Sequence, residues 1–234
     1  AVSLQSEIAE QPAVLARLLD EGWPEARTLA AGLARAAHLT LVARGSSDNA
    51  ATYGKYVFEG LAGIVTASAA PSLVTRYRAG PSFAGGAVIG ISQSGTAPDV
   101  AAVVTSARAD GAFTIAITNS QRSRLARAAA ETFLLRCGAE RAIAATKTYT
   151  ASCLALALLA SATAQARDRA GPSLTGIVEA VREAVAREDD AARIARRIGR
   201  RGALVVLGRG YDYAAALEGA LKIKELARVW AEPY

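Results

Sequence analysis

"AVIGISQSGTAPDVAAVVTSARAD", residues 87–110, changes its periodicity halfway along, and that change decides the fold. Ala87–Ser92 is a mostly apolar run of strand length. A polar turn follows, in which Ser92, Gln93, Ser94 and Thr96 surround Gly95. From Pro98 the apolar positions recur at helical spacing as far as about Asp110. Thr96 and Asp99 have the spacing of a capping box, with Pro98 in the first turn. The turn therefore reads as a strand end meeting a helix N-terminus, one half of a parallel βαβ unit.

The same alternation runs outward in both directions. "LTLVA" (39–43) predicts a strand, followed by "RGSSDNA" and a helix to about Leu61. "GIVTAS" (63–68), "FTIAIT" (113–118) and "TFLLRC" (132–137) predict three more strands. Long helices are expected over 147–166 and 173–198, and a helical N-terminal stretch from about 4 to 36, broken near Gly22 and Pro24. The expected fold is α/β: a five-stranded parallel sheet flanked by helices in three layers, flavodoxin-like, with ligands at the carboxyl ends of its strands.

"LVARGSSDNAATYG" (41–54) and "VVLGRGYDYAAALEG" (205–219) share a layout of apolar strand, Arg-Gly, polar turn and helix. Gly45 corresponds to Gly210 and Gly54 to Gly219, each pair 165 positions apart. This repeat predicts a duplicated module. Three segments follow: an N-terminal helical segment over 1–36, a first module over 37–168, and the start of a second over 169–234, with one strand and one helix of that second copy expected.

Composition narrows the function classes. The formal charge is +6, from 27 basic and 21 acidic residues. Five arginines between Arg193 and Arg201 account for most of it, and no aromatic residue is interleaved with them, so the cluster offers bases no stacking platform. Nucleic acid is not an expected partner. Thr148–Ala166 is uncharged and close to spanning length, but its Ser, Thr, Ala and Gln suit a domain or dimer core better than a membrane. Cys137 and Cys153 lack CxxC spacing and read as reduced core residues of a cytoplasmic protein, with no metal or other cofactor called for. The opening residues are charged and lack the apolar core of a signal peptide.

Two places carry chemistry. Hydroxyl-rich turns close two strands, with Ser46 and Ser47 at the first and Ser92, Gln93, Ser94 and Thr96 at the other. Free N–H groups and the positive end of a helix dipole suit each turn to an anion such as phosphate. Serine also caps helices routinely, so either turn alone is ambiguous. Neither is a Walker A loop, and Tyr213 takes the third-glycine place that would complete a dinucleotide fingerprint at "GRGYDY". Near the C-terminus, Glu218, Lys222 and Glu225 are spaced i, i+4, i+7 and share one helix face. That spacing fits an ordinary surface ion pair as well as a proton-transfer group.

Taken together, "RGSSDNA", "SQSGTAPDV", "ERAIAATKTYT" and "ALEGALKIKELARVWAEPY" resemble the sugar isomerase (SIS) domain family. The likeness is to the isomerase half of glucosamine-6-phosphate synthase and to amino-sugar-phosphate deaminases, and it runs from about Glu7 to the end. It implies tandem SIS domains, a homodimer, and a hexose phosphate or amino-sugar phosphate held by Ser47, Ser92, Gln93 and Ser94, with Ser46 beside them in the first turn. By the same resemblance Ile143 offers its backbone to the sugar, Glu225 is the C1–C2 base, and Glu218 and Lys222 orient and polarise the sugar.

Departures are visible too. Ala97 stands where the family often has Thr, leaving Thr96 as a substitute one residue earlier, and Arg44 replaces a small residue. The family's ring-opening His and C-terminal Lys fall beyond Tyr234. The single histidine, His38, precedes the first strand and is not expected to be catalytic. With no glutaminase segment or N-terminal Cys in the sequence, the expectation tilts from synthase toward deaminase or isomerase acting on a substrate such as glucosamine 6-phosphate. A sugar-phosphate sensor without catalysis and a deglycase of a phosphorylated amine adduct are the alternatives.

Overall fold

Apolar runs bounded by turn residues become strands where the sequence places them. The computed structural model describes residues 3–199 and 202–234. Its strands are β1 (Leu39–Val42), β2 (Thr66–Ser68), β3 (Ala87–Ile91), β4 (Phe113–Thr118) and β5 (Glu131–Leu134). They form one sheet in the order β2-β1-β3-β4-β5, and every pairing is parallel. Val42 lies beside Gly90, and Ile91 beside Ile117. The carboxyl ends of β1, β3 and β4 therefore open on one edge.

The helices are α1 (Leu4–Ala9), α2 (Gln11–Ala34), α3 (Ser46–Val57, extended by a π-helical turn over Phe58–Ala62), α4 (Pro71–Thr75) and α5 (Pro98–Ala109). They continue with α6 (Arg124–Ala128), α7 (Lys147–Ala166), α8 (Ile177–Val185), α9 (Glu188–Ile198) and α10 (Tyr211–Ala227). Strand side chains alternate between two cores, as period-2 geometry requires. Leu39, Leu41, Ile89, Ile91, Ile115 and Ile117 face a core built with α2, α3 and α7. Val42, Val88 and Ala116 face a second, smaller core built on α5. The three-layer expectation holds.

α7 is the central helix. Nearly its whole surface is buried against α2, α3 and the sheet. Its uncharged character is thus accounted for inside the chain, and the homodimer expectation is left resting on the resemblance. Lys147 at its start is only 2% exposed and pairs with Glu10 at 2.5 Å. Burial pushes the thiols of Cys137 and Cys153 up to about 12, so both are inert core groups at neutral pH.

Several expectations need correction. The N-terminal helix does not break at Gly22 and Pro24; it divides at Glu10, and α2 runs through both residues. An interior proline costs about 3 kcal/mol. Burial of Leu15, Leu18, Leu29 and Leu33 along α2 outweighs it, at roughly 1.5–3 kcal/mol for each leucine. Gly22 is there for closeness: a Cβ would stand 3.0 Å from the Phe133 ring. The single helix expected over 173–198 is two, starting only after Gly176 and interrupted at Ala186–Arg187. Ile177, Val178 and Val181 pull α8 onto the main core, and α9 contributes nothing to that core.

The C-terminal stretch contains two strands, not one. β6 (Ala203–Val206) pairs in parallel with β7 (Trp230–Pro233), and α10 connects them. The repeat read from sequence has a backbone counterpart. Gly45 and Gly210, each preceding a helix, adopt φ 58, ψ −133 and φ 66, ψ −130. Only glycine takes this conformation without strain. Of the arginine cluster, Arg200 and Arg201 lie outside the described residues.

Candidate active site

The loop after β3 is shaped by Gly95. Its φ is +64, and a Cβ there would fall 2.2 Å from Ser123 Oγ and 2.8 Å from Thr118 Oγ1. The Gly95 N–H donates to both the carbonyl and the hydroxyl oxygen of Ser92, while Gly95 O accepts from Leu125 N–H. Ser92 Oγ is thus an acceptor within the turn and keeps its own proton to offer a ligand. Ser94 and Thr96 hydroxyls lie 2.7 Å apart, and Ser94 Oγ also accepts from the Thr96 N–H.

The expected capping box is not formed. Ala97 is the cap, and it makes no side-chain cap bond. Thr96 is turned to Ser94, and Asp99 accepts from the Val100 N–H and from Arg44 Nε at 2.6 Å. Asp99 occupies the first turn of α5, where the helix dipole favours its charge. Arg44, at the end of β1, therefore reaches across to the neighbouring loop and ties the two strand ends together.

Ser46 and Ser47 open α3. The first backbone bonds of that helix run from Asp48 and Asn49 to Gly45 O, so the N–H groups of Ser46 and Ser47 lie upstream of the ladder. Val42 and Gly90 are cross-strand partners, so this turn and the Ser92 turn sit side by side.

α10 packs on α3 and completes the arrangement. Lys222 Nζ donates to Ser46 Oγ at 3.1 Å and to Glu225 Oε2 at 2.7 Å, and lies 3.4 Å from Glu218 Oε1. Glu218 is 6% exposed and accepts from Asn49 Nδ2 at 2.7 Å. Its Oε1 has no hydrogen bond. The Lys222 contact is an ion pair at the edge of reach with poor hydrogen-bond geometry, so charge rather than a directed bond satisfies that oxygen. Glu225 stands more open to solvent. The one-face expectation for Glu218, Lys222 and Glu225 holds, and Ser46 joins them.

Ile143 is apart from this cluster. It lies on the loop between β5 and α7 with its side chain 98% exposed. That loop is tied to the Ser92 turn through Asn119, whose backbone N–H donates to Gln93 O at 3.0 Å. The Asn119 side chain accepts from Cys137 N–H and donates to Gly138 O. Farther along, the Glu140 carboxylate accepts from the N–H and hydroxyl of both Thr146 and Thr148, fixing the start of α7. Asn49, Asn119 and Glu140 were not singled out in the sequence. Asn49, inside "RGSSDNA", and Glu140, the first residue of "ERAIAATKTYT", lay within quoted motifs and Asn119 did not; their partners lie 169, 6 and 26 residues away.

Known proteins resemble this chain in sequence and fold. The SIS domain family matches residues 32–162. Over 97% of its length the chain is 36% identical to a glutamine–fructose-6-phosphate aminotransferase (isomerizing) of Gloeobacter violaceus, of which it covers 40%. The C-terminal domain of glucosamine-fructose-6-phosphate aminotransferase from Francisella tularensis superposes with a TM-score of 0.83 at 26% identity, over 97% of this chain and 68% of that one. A glucosamine-6-phosphate deaminase from Thermotoga maritima shares the fold, with a TM-score of 0.80 at 23% identity, over 98% of this chain and 68% of that one. The chain spans about two-fifths of the length of the curated relatives it matches.

Proposed function

The chain belongs to the SIS domain family, and from that membership we propose that it works as a phosphosugar isomerase on an amino-sugar phosphate such as glucosamine 6-phosphate, releasing ammonia. The observation that carries the proposal is Lys222, which bridges the serine turn at the end of β1 to the carboxylates of Glu218 and Glu225. An anion grip and a proton-transfer group are thereby held within one hydrogen-bond network.

In this reading the phosphate rests on the N-terminus of α3 and on the Ser92–Thr96 turn, receiving bonds from Ser46, Ser47, Ser92 and Ser94. Gln93 and the backbone near Ile143 steady the sugar. Glu225 removes the proton from C2 of the open-chain aldose and returns it to C1, while the C1 carbonyl oxygen gains the proton that the amine gives up. The C2 amine becomes an imine, and water replaces it, giving the 2-ketose and ammonia. Lys222 offsets the negative charge that develops on oxygen, and buried Glu218 holds Lys222 in line. The partner of each chain is a second copy, as in the resembling family, and the setting is cytoplasmic.

Glu225→Gln keeps the shape of the side chain and removes the base. In the complete protein, turnover is expected to fall by about 10² to 10⁴ with binding nearly unchanged. Exchange of the C2 proton with solvent deuterium should stop in parallel. Exchange persisting at the wild-type rate would remove Glu225 from the role. Binding of the sugar phosphate by the unmutated protein without any exchange would make it a sensor.

A further inference from the structure

α1 contributes one side chain that the proposed reaction does not use. Glu7 is 0% exposed, yet among the described residues its carboxylate is not paired with a cation. Its two oxygens accept backbone N–H groups from Arg141 at 2.6 Å and from Ala142 at 3.0 Å, the two residues before Ile143. This stretch, from Gly138 to Ala145, lies outside every helix and strand. Its near end is fixed by Asn119, which also holds Gln93, and its far end by Glu140. Between them, Glu7 is the side chain that takes up the middle.

We infer that Glu7 is a positioning residue for the sugar-binding loop: through the N–H groups of Arg141 and Ala142 it sets where the Ile143 backbone meets the substrate. The inference rests on the proposed sugar-phosphate reading of the site. A charged acceptor suits the task because it satisfies two donors at once, and bonds to an ionised acceptor are the stronger kind. Burying that carboxylate is costly unless both bonds are made, so the loop is held in one arrangement.

Two measurements on the complete protein test this. In the unmutated protein, the Arg141 and Ala142 amides should exchange with deuterium at least about a hundredfold more slowly than unstructured amides, although the segment is irregular. Exchange at the unstructured rate would overturn the inference whether or not any variant folds. Glu7→Gln presents an amide donor to one of the two N–H groups. Trypsin cleavage after exposed Arg141 should then accelerate, and KM for glucosamine 6-phosphate should rise about tenfold or more with kcat within about threefold. Glu7→Asp, which keeps the charge on a shorter arm, should recover part of the loss. A freed loop with unchanged KM would sink the inference and leave the isomerase reading standing. A wild-type protein that fails to bind the sugar phosphate would sink the isomerase reading first, and this inference with it.

Discussion

Asn49 on α3 donates to Glu218 on α10 across 2.7 Å, joining side chains 169 residues apart. It is the only directed hydrogen bond to that buried carboxylate among the described residues. Asn49→Ala should lower stability by roughly 2 kcal/mol, the cost of stripping a bond from a buried charge. Asn49→Asp should cost more, because it sets two carboxylates together. Urea midpoints at constant m-value report both, and an unshifted midpoint for Asn49→Ala would mean that α10 docks without this bond.

The anion grip is tested by removing a hydroxyl from each turn. Ser47→Ala combined with Ser92→Ala should weaken binding of a hexose 6-phosphate about a hundredfold, roughly 3 kcal/mol from two charge-assisted bonds. Titration calorimetry reads the change directly. Unchanged affinity would place the phosphate elsewhere.

Gly95→Ala combines two faults. Its φ of +64 is disfavoured for alanine, and the new Cβ would meet Ser123 and Thr118. A loss of roughly 2–3 kcal/mol is expected in thermal or urea unfolding, together with loss of sugar-phosphate binding. A variant as stable as the parent would show that the turn relaxes freely.

Arg44 and Asp99 set a pH signature. Partial burial pushes the Asp99 carboxyl up, but the hydrogen bond and charge of Arg44, with the Val100 N–H, pull it down further, so the net position lies below the usual value. A depressed acid contributes stability that is present above about pH 4 and is lost as pH falls through the lower folded value. Arg44 is largely exposed and Asp99 only partly buried, so solvent screens the pair and the amount is under about 1 kcal/mol. Asp99→Asn should therefore melt slightly below the parent at pH 7, and the gap should shrink as pH falls below the usual carboxylate range. A gap that persists at low pH would point to something other than this ion pair.

Much of the fold was legible because its strands are apolar runs punctuated by glycine and serine. FTIAIT became β4 without adjustment, and the helix expected over 147–166 became α7 with the same bounds. Propensity failed where tertiary packing overrode it. Pro24 argued for a break that the leucines of α2 prevent, and nothing like a glycine or proline marks Ala186–Arg187, where α8 ends because α9 has no core to join. In the site, the serine turns and the spacing of Glu218, Lys222 and Glu225 were visible. The bonds from Glu7 to Arg141 and from Asn49 to Glu218 were not, since no local pattern encodes a partner more than a hundred residues away.

The contact between Lys222 and Ser46 also gives the site a timetable. Ribosomes add residues in order, at about 5–20 per second. α7, the central helix of the core behind the serine turns, is complete at Ala166, 59 positions before Glu225 (225 − 166), a head start of roughly 3–12 seconds. On the proposed reading, a growing polypeptide completes the turns that would hold the phosphate while the helix carrying Glu225 is still unmade. It could capture phosphate long before it could act on a sugar, so an early ligand could steady the half-built sheet without being consumed.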